Sequence, residues 1–349
     1  MADKPTSIEL KALRSAFLNL RTPLALAEAL AMDVLKLTAL ALQPPYKIFH
    51  LPKKDGSSRL IEDPQKPLKK IQRKLNRYLQ AVYYFQKTEA AYGFMLQCDG
   101  DEAYQHRNIV NNARQHLGCR WLLNIDLEDF FHHVKTRRLV RLFLSPPFSF
   151  SKDLTRLLVM LATYNGRLPM GAPTSPILSH FATQLLDGEL LLLARGKGWN
   201  YTRFADDMSF SSSDEITAKD FSRIREYITA FGFYPNEQKV KLFKPGDVKM
   251  VTGLIVGEKD VLLPDSFLSG LEQEIGRLGE VTTVQGRMGK ERSQWVEKYR
   301  QRIGGMLEFA GHVLGERHQT VIELERNFKQ ASEPPGNFGA YSWLEFPYW

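Results

Sequence analysis

Three aspartates stand at the ends of two short apolar segments. Asp126 closes one such segment, and the adjacent pair Asp206 and Asp207 interrupts another. A carboxylate at a strand end is costly to desolvate, and two neighbouring carboxylates repel each other unless a cation lies between them. Two Mg²⁺ ions about 3.5 to 4 Å apart, for which Mn²⁺ can substitute, would activate an attacking hydroxyl and stabilise a pyrophosphate leaving group. The pattern therefore predicts two-metal nucleotidyl transfer, although Asp is also common in plain turns.

Strands are needed to hold these carboxylates in place. We expect a buried strand over Trp121–Leu127 and a tight hairpin over Tyr201–Ser212 with the aspartate pair at its tip. A second β-hairpin is predicted between Tyr46 and Asp63, turning at Asp55-Gly56. Apolar spacing and composition predict helices over Leu24–Leu42, Pro67–Tyr83, Lys152–Tyr164, Leu178–Arg195, Ala218–Phe231 and from Asp265 onward.

The composition is that of a globular protein with a basic N-terminal quarter. The 349 residues include 47 Lys and Arg against 39 Asp and Glu, a formal charge of +8. Residues 1–90 carry 16 basic and 8 acidic side chains, which indicates a phosphate-rich partner. Two cysteines without metal-ligand spacing favour a reduced, cytoplasmic compartment. The apolar run Leu24–Leu42 is cut by charged residues, so we expect no membrane segment.

The order of the motifs resembles that of reverse transcriptases. The strand with Asp126 is followed by Leu168-Pro-Met-Gly-Ala-Pro-Thr-Ser-Pro176 and then by the Phe204-Ala-Asp-Asp hairpin. Within that superfamily the chain most resembles bacterial retron reverse transcriptases. Asn112-Ala-Arg-Gln-His116 fits their NAxxH signature, and Val251-Thr252-Gly253 fits their VTG signature.

The resemblance implies an α+β fold with right-hand polymerase architecture: fingers, a palm with an antiparallel sheet, and a helical thumb. Its segments would be N-terminal helices and fingers at 1–90, a first palm part at 91–135, a fingers insertion at 136–169, a second palm part at 170–262 and the thumb at 263–349. The length leaves no room for a nuclease module, which favours the stand-alone retron type.

The resemblance also assigns roles to single residues. Asp126, Asp206 and Asp207 match the metal-binding catalytic residues, with the Leu127 carbonyl as a further oxygen ligand. Phe131 matches the aromatic gate that excludes a ribose 2′-hydroxyl. The other residues assigned to nucleotide binding are Lys53, Lys54, Arg59, Met170, Gly171 and Lys239.

Two residues depart from the usual reverse transcriptase motifs, and one assignment leaves a choice open. Met170 stands where relatives have Gln, and Phe204 where they have Tyr, so the nucleotide and primer contacts are expected to differ. Lys239 is expected to act as a general acid toward pyrophosphate, with Lys241 equally allowed.

His132 and His133 are adjacent and would point apart on a strand, so they do not predict a metal site.

The resemblance further implies contacts with a cognate structured noncoding RNA and its DNA copy. The residues expected to bind RNA are Asn112, His116, Val251, Thr252, Gly253, Arg292 and Arg300. For His116 a structural hydrogen bond to nearby backbone is an equal alternative. The implied reaction copies part of that RNA with dNTPs, primed from a guanosine 2′-hydroxyl, and gives a branched RNA–DNA used in antiphage defence with an effector protein. The alternatives are a protein-primed or untemplated defence polymerase and a non-catalytic RNA-binding scaffold.

Overall fold

The structure is a computed structural model that describes residues 4–52, 56, 58–287 and 293–333. The chain divides into two compact units that meet between Asp247 and Val248. Residues 248–262, which the sequence assigned to the palm, therefore group with the C-terminal helices.

The first unit is largely helical around a central sheet. Its α-helices are α1 (Ser7–Leu18), α2 (Pro23–Ala29), α3 (Val34–Leu42), α4 (Lys66–Tyr84), α5 (Ile109–Arg114), α6 (Phe130–His133), α7 (Thr136–Leu144), α8 (Lys152–Ala162), α9 (Ser175–Gly196) and α10 (Ala218–Ala230). Its strands are β1 (Tyr46–Pro52), β2 (Ser58–Pro64), β3 (Ala91–Tyr92), β4 (Trp121–Asp126), β5 (Asn200–Phe204), β6 (Asp207–Ser212) and β7 (Lys241–Phe243).

Five strands form the sheet that carries the aspartates. Their order is β3-β5-β6-β4-β7, with β3 parallel to β5 and the other pairs antiparallel. Strands β4 and β6 alternate buried apolar residues with polar ones, and α9 packs against the sheet through β5. The predicted strand and the predicted hairpin that carries Asp206 and Asp207 are confirmed.

Strands β1 and β2 form the predicted hairpin in register from Tyr46 opposite Pro64 to Pro52 opposite Ser58. Its tip includes Lys53 and Lys54, which lie outside the described residues. The basic helix predicted after it is α4.

The single helix predicted over Leu24–Leu42 is wrong, because the chain forms α2 and α3 there. Ala31 adopts a left-handed backbone with φ of 49°, which ends α2. The Asp33 carboxylate then accepts a hydrogen bond from the Lys36 N–H at 3.0 Å and caps α3. Leu26, Leu30 and Leu37 remain fully buried, so the apolar face was identified although the break within it was not.

One helix among the described residues, Ser175–Gly196, is long and apolar enough to cross a membrane by length and composition. About 56% of its most apolar window is buried inside the protein, as is usual for a central core helix. Leu178, Leu186 and Leu190 on this helix belong to the main hydrophobic core.

The second unit contains a small sheet and the predicted helices. Strands β8 (Met250–Val251), β9 (Leu254–Val256) and β10 (Val261–Leu262) precede α11 (Asp265–Arg287), α12 (Gln294–Leu314) and α13 (Gln319–Ser332). Thr252 and Gly253 form a two-residue turn between β8 and β9. Both have positive φ, 49° and 86°, which is the backbone of a tight hairpin turn and explains the glycine.

Candidate active site

The three aspartates meet at one end of the central sheet. Asp126 is the last residue of β4 and Asp207 the first of β6, and the two are directly paired in the antiparallel register. Asp206 lies in the two-residue turn between β5 and β6, where its carbonyl accepts a 3.0 Å hydrogen bond from the Leu127 N–H. Strand pairing alone therefore gathers the residues that the sequence assigned to catalysis.

The proximity of these carboxylates perturbs their protonation. Desolvation, and then repulsion from Asp206 and Asp126, raises the pKa of Asp207 to about 7 even though the residue stands at the open edge of the sheet. Desolvation and the Asp126 charge also raise the pKa of Asp206. Such an arrangement favours a cation at this edge, because a cation would remove the repulsion.

Lys239 supplies a positive charge at this edge. Its Nζ donates a 3.0 Å hydrogen bond to Asp126 Oδ2, and this contact raises the pKa of Lys239. The Asn236 N–H donates to the Asp126 carbonyl at 2.7 Å, which fixes the short turn Glu237–Lys239 against β4. Lys241 lies on β7 and is exposed. The structure thus distinguishes the two lysines that the sequence left equivalent.

The carboxylate oxygens at this edge fit a hard divalent ion, provided that the side chains rearrange. Carboxylate oxygens are the ligands that Mg²⁺ and Mn²⁺ prefer, and Lys239 already marks a position for a cation. Among the residues that the structure describes, no three acidic, histidine or cysteine side chains are close enough together to hold a metal as they stand. Metal binding would require Asp126 to exchange its ammonium partner for the ion.

A polar cavity of about 490 Å³ opens beside the carboxylates. The residues that line it include Asp126, Leu127, Asp206, Lys239, Phe131, Arg59 and Met170, all of them site residues expected from the sequence. Phe131 is half-buried on α6 and stands beside Phe130, whose ring packs on Phe233 in the core. The aromatic side chain expected to act as a gate is therefore anchored in the cavity wall.

Gly171 brings the loop after Met170 against strand β2. It has φ of 125°, and a Cβ atom there would lie 3.0 Å from the Glu62 carbonyl oxygen. The Met170 carbonyl accepts a 2.8 Å hydrogen bond from the Glu62 N–H. A side chain at position 171 would separate these two backbones, so glycine is required.

His116 is a core residue, which corrects the expectation that it contacts RNA. It is fully buried; Nδ1 is 2.7 Å from Ser211 Oγ and Nε2 is 2.7 Å from Thr202 Oγ1. Burial lowers its pKa to about 3, so the ring is neutral. Asn112 is also buried, at 1% exposure, which does not fit direct RNA contact. The alternative of a structural hydrogen bond is the one observed, although its partners are side chains.

The other residues expected to bind RNA belong to the second unit or lie outside the description. Val251 is fully buried, whereas Thr252 and Gly253 form the turn of the hairpin. Arg300 Nη2 donates to the Ser332 carbonyl at 2.7 Å and thereby ties α12 to α13, so this donor is not available to RNA. Arg292 lies outside the described residues.

The sequence did not single out the ion pair that supports the two-residue turn between β5 and β6, which we call the catalytic turn. Arg203 and Asp187 are both fully buried, with Nε to Oδ1 at 2.8 Å and Nη2 to Oδ2 at 2.6 Å. Arg203 Nη1 also donates to the carbonyl of Ala205, a residue whose φ is 57°. Two opposite charges inside otherwise apolar segments were the available signal, but their pairing depends on the fold.

Comparison with known proteins places the chain in a family. Residues 51–261 match the family described as "Reverse transcriptase (RNA-dependent DNA polymerase)". The chain is 27% identical to the retron Ec86 reverse transcriptase of Escherichia coli, over 74% of this chain and 80% of that protein. It is 30% identical to the retron Mx65 reverse transcriptase of Myxococcus xanthus, over 76% of this chain and 60% of that protein.

Among solved structures, the telomerase of Candida albicans aligns over 82% of this chain and 63% of its own, with 10% identity and a TM-score of 0.44. The sequence match to the family covers strand β2, the central sheet and the VTG turn. With its α+β fold and its carboxylate edge, the chain belongs to the reverse transcriptase family, the RNA-dependent DNA polymerases, and resembles the bacterial retron enzymes within it.

Proposed function

We propose that this chain copies part of a cognate structured noncoding RNA into DNA, with dNTPs as substrates and a guanosine 2′-hydroxyl of the RNA as primer. The product would be a branched RNA–DNA molecule. The observation that carries the chemistry is the convergence of Asp126, Asp206 and Lys239 on one cavity that Phe131 also lines. The retron type is supported by the similarity to retron enzymes and by the NAxxH and VTG motifs.

In the proposed mechanism Asp126, Asp206 and Asp207 would hold two divalent ions, with the Leu127 carbonyl as a further ligand. The ions would lower the pKa of the attacking hydroxyl and stabilise charge on the phosphates. Lys239, released from Asp126, would donate a proton from its ammonium group to the departing pyrophosphate oxygen. Phe131 would exclude a 2′-hydroxyl on the incoming nucleotide by its volume.

The fingers hairpin would supply the charges for the triphosphate. Arg59 lines the cavity, and a guanidinium can bind two phosphate oxygens at once. Lys53 and Lys54 are proposed to contribute point charges from the hairpin tip. Asn112 and His116 support the palm from the core, so the proposed RNA contacts rest on Thr252, Gly253 and Arg292.

The proposal extends to the biological setting that the retron resemblance implies. The DNA–RNA–protein complex would act in the bacterial cytoplasm in antiphage defence and restrain an effector protein. A protein-primed or untemplated defence polymerase and a catalytically silent RNA-binding scaffold are the competing functions.

The test is to purify the protein from cells that carry its native locus and to sequence the DNA that copurifies. A discrete DNA that a debranching enzyme releases from a neighbouring transcript is expected. Unbranched DNA would favour the protein-primed or untemplated polymerase, and RNA alone would favour the scaffold.

Asp206→Asn with Asp207→Asn should abolish the DNA without loss of folded protein. The matched control is Asp214→Asn with Glu215→Gln, which removes two adjacent exposed charges just beyond the opposite end of β6. Unchanged DNA yield from the first double variant would contradict the catalytic role of the pair.

A further inference from the structure

A buried carboxylate lies behind the wall of the polar cavity beside Asp126 and Asp206. Glu62, on strand β2, is 1% exposed, and its Oε2 lies 3.1 Å from His132 Nε2 while its Oε1 accepts from Arg167 Nη2 at 3.2 Å. The Met170 N–H donates to Oε2 at 3.3 Å. One carboxylate therefore joins strand β2, helix α6 and the loop before α9.

The partners of Glu62 have rigid backbones. Arg167 closes a two-residue turn with Tyr164, paired by hydrogen bonds of 2.9 and 3.1 Å. The next residue, Leu168, donates from its N–H to the Val134 carbonyl at 3.0 Å. The side chains of His132 and Arg167 are 14% and 27% exposed, and both residues line the cavity. The His132 imidazole and the Arg167 guanidinium are thus held in place at the wall of the cavity in which we propose that the nucleotide binds.

We propose that Glu62 is a positioning residue for the incoming nucleotide, which orients His132 and Arg167 so that these two side chains bind the sugar and phosphate oxygens of a deoxynucleoside triphosphate. This inference rests on the proposed polymerase function and names further residues of its substrate site. The sequence provides no amide at position 170, because Met170 has a thioether that packs but donates no hydrogen bond. Arg167 supplies N–H donors on the same wall, and the His132 ring, whose Nε2 faces Glu62, lines that wall as well.

The energetic cost of the arrangement points to the same role. A carboxylate as buried as Glu62 loses its hydration, and its protein partners offset that loss only in part. A strand and a loop that needed only to pack together could do so with apolar side chains. Arg167 also keeps a buried Nε without a protein hydrogen-bond partner, so its donors are not exhausted by Glu62. The carboxylate therefore orients donors that remain available to a ligand.

The test measures nucleotide binding separately from turnover. The probe is dTTP, bound to the protein on a primer–template that ends in a dideoxynucleotide, with Ca²⁺ in place of Mg²⁺. Glu62→Gln retains the shape of the side chain but weakens its hold on both donors, and we expect the Kd for dTTP to rise about fivefold or more. In primer extension the same variant should raise KM by a similar factor while kcat changes less than twofold.

Asp63→Asn is the matched control, since Asp63 is the next residue of β2 and pairs with Lys69 at 2.6 Å instead of facing the cavity. It should leave the Kd unchanged. His132→Ala should weaken dTTP binding as Glu62→Gln does, and adding Met170→Gln should restore part of the lost affinity because it places an amide donor on the same wall.

Two outcomes would overturn the inference. If Glu62→Gln lowers the melting temperature or kcat but leaves the Kd for dTTP unchanged, Glu62 only connects the hairpin to the palm. If His132→Ala binds dTTP as well as the wild type does, the imidazole is not a ligand of the nucleotide. A wild-type protein that binds dTTP but extends no primer would contradict the proposed function while leaving the role of Glu62 measurable.

Discussion

Removing one catalytic carboxylate should stabilise the metal-free protein while abolishing its activity. In the folded chain the pKa of Asp207 is raised from its ordinary value of 3.8 to about 7 by desolvation and by the neighbouring carboxylates. Between these two pH values the folded state binds more protons at this group than the unfolded state does. Stability from this group is therefore lost as the pH rises from about 4 to about 7, and little further change is expected above that range.

The size of the effect follows from the pKa difference. A difference of about three pH units corresponds to an upper bound of about 4 kcal/mol, at about 1.4 kcal/mol per unit. Because Asp207 is exposed at the sheet edge, solvent screens the repulsion, and we expect Asp207→Asn to gain only about 1 kcal/mol at pH 8. For a unit of this size that gain raises the melting temperature by about 3 °C.

The assay is thermal unfolding in EDTA at pH 8 and pH 6, with the variant compared with the wild type at each pH. The difference between the two proteins isolates Asp207, since the buried histidines titrate equally in both. We expect the advantage of the variant to shrink at pH 6, where Asp207 of the wild type is largely protonated. Mg²⁺ should stabilise the wild type more than the variant.

Asp126→Asn relieves part of the same repulsion but also removes the partner of Lys239, so it should stabilise the protein less than Asp207→Asn does. The reasoning is refuted if Asp207→Asn melts below the wild type in EDTA at pH 8. It is equally refuted if the variant's advantage is as large at pH 6 as at pH 8.

Three further results are expected. His116→Ala should lower the free energy of unfolding by about 2 to 4 kcal/mol, since it leaves two buried hydroxyls unpaired. The folded fraction should keep its affinity for RNA in a gel-shift titration below the melting temperature. Tenfold weaker binding would instead support a direct contact between His116 and RNA. Met170→Gln should remain active in primer extension, and an inactive variant would show that the pocket is built differently. Lys239→Met should lower kcat at least tenfold while the exposed Lys241→Met does not, and equal losses would exclude a specific proton donor at 239.

The catalytic edge was predictable from sequence because local patterns define it. A short apolar run that ends at Asp126 identifies β4, alternating residues identify β6, and the antiparallel register then pairs Asp126 with Asp207. The fingers hairpin was predictable for the same reason, since an Asp-Gly turn fixes which residues face each other.

Long-range contacts limited the rest of the prediction. Glu62 meets Arg167 across more than a hundred residues of chain, and no local pattern of charge reveals such a pair. Sequence likewise could not decide between a core position and an RNA contact for His116, because both suit a histidine near a motif. The left-handed conformation of Ala31, which divides the predicted helix, is set by packing and not by its residue type.

The Arg203–Asp187 pair has a consequence for how this protein unfolds locally. Because Arg203 bonds both the core helix α9 and the Ala205 carbonyl, the catalytic turn cannot detach without exposing a buried ion pair. Turn and core helix should therefore belong to one cooperative unit, although surface hairpins usually fray first. In native-state hydrogen exchange, the Leu127 amide that binds the Asp206 carbonyl should exchange through global unfolding of the first unit.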